Sequence, residues 1–118
     1  MPLIVFGGGS ASSEVEAASV TLTKPTGEDF RFRVYYTAVN GGKTEFAYKM
    51  QDSYNKRAVF EVAKGSALTV MNIGGGSVSY DTVGGVEFVY GTNADVPCMV
   101  FDVEDDGEIN FTEQESEK

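Results

Sequence analysis

The sequence predicts an all-β chain, an antiparallel β-sandwich or barrel of about eight strands, with a flexible N-terminal arm and an acidic C-terminal tail. Three observations carry the prediction. Residues 29–50 alternate apolar and polar side chains on either side of Asn40-Gly41-Gly42. Further short β-prone runs follow at a spacing of about 8 to 12 residues, the pattern of a sheet rather than of an α/β enzyme. The breaks between those runs carry glycine, at Gly65, Gly74-Gly75-Gly76 and Gly84-Gly85.

The chain divides into residues 1–13 as arm and linker, 14–104 as the β-sandwich domain and 105–118 as the acidic tail. In the arm, Pro2 is followed by Leu3, Ile4, Val5 and Phe6, an apolar run set apart by a Gly/Ser stretch at 7–13 that has no preferred shape. Two main readings are open for it: a first strand returning to its own sheet, or an arm that adds to the sheet of a neighbouring subunit. Residues 14–18 carry no clear signal. Residues 19–24 alternate with Val20 and Leu22 inward, and Pro25-Thr26-Gly27 turns the chain.

In residues 29–50 a three-residue loop at 40–42 sets Tyr36 opposite Phe46, Val34 opposite Tyr48 and Phe32 opposite Met50. Arg33 and Lys49 then share the other face. A two-residue loop would instead pair Tyr36 with Glu45, a slip that sends an apolar set to the wrong side. Residues 57–63 and 67–73 are expected to pair across Lys64-Gly65-Ser66, with Phe60 opposite Val70. Residues 77–90 read as another hairpin, closing on Val83-Gly84-Gly85 with Tyr80 opposite Phe88, which forces Asp81 against Glu87. Residues 98–103 are expected to finish the sheet.

The totals limit the chemistry. A chain of 118 residues is one domain. It contains no histidine and no tryptophan, so nucleophilic sites that use imidazole as base, and most zinc, copper and non-haem iron sites, are not expected. Cys98 is alone, which precludes an intrachain disulfide, and its place in an alternating run makes it a sheet residue. The apolar run at 3–6 is far short of a membrane span, and Met1-Pro2 offers no basic start for a signal peptide. Net charge is −9, divided as −2 over residues 1–23, +3 over 24–64 and −10 over 65–118. Such a balance disfavours nucleic acid as partner and lets a mid-chain basic face meet an acidic one.

Two surface patterns stand out. In the first, Asp102, Glu104 and Asp106 are followed by Gly107, Glu108, Ile109, Asn110 and Glu113. These residues resemble an EF-hand calcium loop, with acids at the first, third and fifth positions, glycine at the sixth and glutamate at the twelfth. The resemblance implies Ca2+ held by the side chains of Asp102, Glu104, Asp106 and Glu113, by the carbonyl of Glu108 and, through water, by Asn110. It departs from the family in lacking room for an entering helix and in carrying glutamate at the third position. In the second pattern, Arg31, Arg33 and Lys49 form a basic stripe interleaved with Tyr35, either a solvated sheet face or a contact surface for an acidic neighbour.

A tethered apolar strand, complementary charge on separate faces and the lack of a catalytic constellation predict a non-enzymatic structural protein that works as a homo-oligomer. Small, histidine-free, glycine-turned β proteins with an N-terminal arm resemble bacteriophage virion components such as head decoration or tail-associated proteins. That resemblance implies capsid or tail subunits as partners, bound through Leu3, Ile4, Val5, Phe6, Arg31, Arg33 and Lys49, in a virion or a host cytoplasm, with neither nucleic acid nor membrane engaged. The alternatives are a calcium-dependent carbohydrate- or protein-binding module and an acidic DNA mimic.

Overall fold

A computed structural model describes residues 15–26, 30–39, 44–50, 56–74, 78–92 and 98–113. They form seven strands: β1 (Ala17–Thr23), β2 (Phe32–Thr37), β3 (Thr44–Met50), β4 (Arg57–Ala63), β5 (Ser66–Asn72), β6 (Val78–Thr92) and β7 (Cys98–Glu113). The all-β class is as the alternation predicts, and no helix occurs among the described residues. The strands lie in one sheet in the order β3-β2-β5-β7-β1-β4, with β6 on β7. A bridge between Ala38 and Val62 ties the end of β2 to β4, so the sheet is barrel-like and nearly closed.

β7 is the spine. Along one edge it pairs with β6 from end to end. Along the other it pairs antiparallel with β5 through residues 98–103, then parallel with β1 from Gly107 to Asn110. Its inward residues Phe101, Val103, Ile109 and Phe111 are buried together with Val20, Leu22, Phe32, Val34, Val62, Leu68 and Val70. The ends of the sheet meet across this core. Phe32, at the head of β2, lies 4.8 Å from Phe111, near the end of β7, between ring centroids.

That contact requires the β6–β7 pair to fold over on itself. Tyr80 and Phe88 belong to the same strand, and eight extended residues span about 26 Å. Yet their rings stack with centroids 4.9 Å apart. The bend falls where Gly84 pairs with Gly107 and Val86 with Val103, leaving Gly85 to face Glu104, Asp105 and Asp106 in an irregular bulge. Gly84 has φ +82°, and a Cβ there would sit 2.6 Å from the carbonyl oxygen of Asp106. A Cβ on Gly107 would sit 2.5 Å from the carbonyl oxygen of Val83. Two backbones crossing this closely require glycine on both.

The structure corrects several expectations. The described residues form seven strands, where about eight were expected. In place of the hairpin expected over residues 77–90, residues 78–90 are most of one creased strand, because Gly84-Gly85 bends the chain without reversing it. Tyr80 and Phe88 do meet, across the crease instead of across a turn. Asp81 therefore pairs with Asn110 and Glu87 with Asp102, not with each other. The boundary at residue 104 is also overturned. β7 continues to Glu113, and Ile109 and Phe111, assigned to the tail, are core.

Strands β4 and β5 form where expected, joined at Gly65 with φ +85°, but they do not pair. β4 pairs with β1, while β5 lies between β2 and β7. The Gly65 N–H donates to the Val103 carbonyl at 2.7 Å, which carries the chain across the sheet instead of back along β4. The β2–β3 hairpin mixes both registers weighed for it. Near the loop Tyr36 pairs with Glu45, as a two-residue turn would give, and a bulge before Val34 restores Phe32 to Met50. The bulge absorbs one residue, so Phe32 and Val34 both stay fully buried.

Candidate interaction surfaces

The fold sorts charge by position along the barrel. At the crease end, β1 begins, β4 ends and the β6–β7 pair bends. Glu16, Glu61, Glu87, Asp102, Glu104, Asp105 and Asp106 are all exposed there, against the partly exposed Lys64. Sequence distance hides this cluster, since the acids come from β7, β6, β4 and the lead into β1. The Asp106 carboxylate accepts the Ser19 N–H at 2.8 Å, and the Ser19 hydroxyl donates to Glu61 at 3.0 Å. Lys64 Nζ lies 3.4 Å from Glu16 Oε1 and 3.5 Å from Asp105 Oδ1.

The Glu16 hydrogen bond, followed by the charges of Asp105 and Glu16, raises the Lys64 pKa above its ordinary 10.5. The Asp106 N–H, followed by Lys64, lowers that of Asp105 below 3.8. These exposed pairs hold the crease together only weakly. Among the described residues, Lys64 alone stands against these carboxylates, which leaves their part of the crease end strongly negative. An open depression of about 230 Å³ on it, lined by Gly84, Gly85, Val86, Glu87 and Glu104, is too shallow to exclude water.

The opposite end carries Arg31, Lys56 and Arg57, with the exposed Asp81 in the same cross-strand row as Arg57, through Asn110 and Thr23. Arg31 precedes β2, and its carbonyl accepts the N–H groups of Ile73 and Gly74 at 2.8 and 3.2 Å. Arg33 is half-buried on β2. Lys24 N–H donates to the Lys56 carbonyl at 2.8 Å, and Arg57 pairs with Thr23. The Phe32–Phe111 contact draws these strand ends together, so the exposed Arg31, Lys56 and Arg57 share one end of the barrel. Lys49 falls in β3 where the register with β2 shifts between Phe32 and Val34, and its side chain lies outside the described residues. Leu3, Ile4, Val5 and Phe6 also lie outside them.

The calcium-loop residues adopt another conformation. Residues 102–113 are strand, paired with β6 on one edge and with β5 or β1 on the other. A hydrogen-bonded strand does not wrap an ion as the twelve-residue loop does. Asp102 stands beside Glu87, Glu108 beside Thr21, and Asn110 between Asp81 and Thr23. The Glu113 side chain lies outside the described residues. Among the described residues no three acids, cysteines or histidines are grouped so as to hold a metal ion.

Sequence reasoning missed one surface. On β6 the exposed Phe88, Val89 and Tyr90 follow one another, with a bulge at Val89 breaking the alternation. A hairpin with Tyr80 opposite Phe88 on its inner face would turn Tyr90, two residues further along, inward as well. The available signal was the run Phe88-Val89-Tyr90 itself, which leaves no polar position for an outer face. No helix among the described residues is long and apolar enough to cross a membrane. Comparison of the chain with protein-family models, curated proteins and solved structures finds no match.

Proposed function

We propose that this chain is a non-enzymatic structural protein of a multi-copy assembly, in which the cationic end of one barrel seats on the acidic crease of the next. The observation that carries the reading is the separation of charge between the two ends, with Arg31, Lys56 and Arg57 at one and Glu16, Glu104, Asp105 and Asp106 at the other. Opposite ends that complement each other make a heterologous contact, which closes into a ring or extends as a filament. Such contacts guide association and orientation through long-range attraction. The apolar arm at Leu3, Ile4, Val5 and Phe6 adds a second, non-ionic contact. A decoration or tail-associated component of a virion is the kind of assembly this design serves, in keeping with the resemblance of type noted above.

The test is mass by light scattering for the full chain and for the chain lacking residues 1–13, each at low and at high salt. The reading expects an oligomer at low salt that weakens as salt rises and weakens further without the arm, while the circular dichroism of the domain is unchanged. A lone monomer at high concentration under every condition overturns it.

A further inference from the structure

We propose that the outer edge of β6, residues 86–91, is the acceptor for the apolar arm of a second copy, which adds to it as a further strand through Leu3, Ile4, Val5 and Phe6. The inference rests on the assembly reading and names the contact within it. Three features of the molecule carry it.

First, β6 pairs only with β7 among the described strands, so the backbone groups of its other edge face outward. Sheet edges of this length are normally guarded by lysine, proline, an inward charge or a bulge, and of these devices the edge has the bulge at Val89 alone. Residues 86–91 contain neither lysine nor proline, and their one charge, Glu87, points outward.

Second, the edge is apolar on both of its faces. On the core side Phe88, 37% exposed, stacks on Tyr80 at the flank of the barrel. On the outer side Val89 and Tyr90 are 46% and 52% exposed. A strand covering both sides needs apolar side chains at successive positions, as strands buried on two faces have. Leu3, Ile4, Val5 and Phe6 supply them without a polar interruption, and these four residues cover four of the six positions of the edge.

Third, the tether leads the right way. The carbonyl of Glu16 accepts the Lys64 N–H at 3.0 Å, so the chain enters β1 at the acidic crease end. Charge attraction places the cationic end of a neighbour there, and the β6 edge runs toward that same end, where Thr92 pairs with Cys98. Residues 7–14 extend up to about 28 Å, enough to cross from one barrel to the next.

The experiment uses full-length chains in a Cys98→Ala background. One carries Val5→Cys, a second carries Val89→Cys, and a third carries both. The two single variants are mixed and oxidised, and the mass of each wild-type and variant sample is followed by light scattering. A disulfide-linked pair from the mixed single variants, together with a weakening of association by tenfold or more in Val89→Lys at unchanged melting temperature, is the expected result. A bridge that closes within one chain of the double variant, without intermolecular product, overturns the second-copy acceptor in favour of strand return. An oligomer that forms without any cross-link and ignores Val89→Lys overturns the acceptor but leaves the assembly reading standing. A monomer throughout overturns both.

Discussion

At the scale of single residues, the crease depends on glycines that differ from the other turn glycines. Gly65 and Gly84 both have positive φ, but a Cβ on Gly65 meets nothing within 4 Å, whereas one on Gly84 runs into the Asp106 carbonyl. An L-residue in the left-handed region costs about 1–2 kcal/mol. Gly65→Ala should lose about that much, and Gly84→Ala should lose about 1–3 kcal/mol more because the facing strand must move. Urea midpoints at unchanged slope read the difference, and equal losses would show that the close approach is not maintained. The ion pairs beside the crease have a defined pH sign. Asp105 is depressed, so its contribution is present above its unfolded value and lost as pH falls through its folded one. Lys64 is raised, so its contribution is complete below its unfolded value and lost as pH rises through its folded one. Urea midpoints for Asp105→Asn should therefore decline less steeply in acid below 3.8, and those for Lys64→Met less steeply in alkali above 10.5; both groups are exposed, so the changes are small.

At the scale of elements, β7 separates what was legible in the sequence from what was not. Period-two alternation placed β1, β2, β4 and β5 and their inward residues, because it depends only on neighbours in sequence. Val20, Leu22, Phe32 and Val34 are inward and fully buried as read. Strand partners were not legible. The Gly65 turn looks like a hairpin turn in sequence, and only the Gly65 N–H to Val103 bond shows that it sends the chain across the sheet. The acidic run at 102–108 concealed the end of β7, since Asp102, Glu104 and Glu108 occupy its outer face while Val103 and Ile109 fill the core. The charge separation of the candidate surfaces was legible only as a trend along the chain. Its gathering at two ends depends on the crease. A cut after residue 104 should accordingly abolish cooperative unfolding, because it removes Ile109, Phe111 and the parallel partner of β1. A cut after residue 113 should leave the transition within a few degrees of the intact chain. Phe111→Ala alone should cost about 3–5 kcal/mol, which chemical denaturation measures directly; a loss below about 1 kcal/mol would return that residue to the tail.

At the scale of the whole molecule, the charge arrangement predicts a result that no symmetric contact reproduces. Consider a variant with Arg31→Glu and Arg57→Glu, negative at both ends, and another with Glu87→Lys and Glu104→Lys, which leaves the crease with five acids against three lysines in place of seven against one. All four side chains are exposed and take no part in the described salt bridges or side-chain hydrogen bonds. Exposed substitutions of this kind typically change stability by no more than about 0.5 kcal/mol. If copies stack cationic end to acidic crease, the first variant repels itself and stays monomeric, and the second assembles more weakly than the wild type. Mixed in equal amounts they should recover association, because the wild-type end of the second meets the wild-type crease of the first. A two-fold contact pairs each surface with itself, so it has no reason to require alternation. Mass by light scattering of each variant alone and of the mixture decides the matter: recovery in the mixture that fades with added salt supports end-to-crease stacking, and assembly of either variant alone to the wild-type extent refutes it.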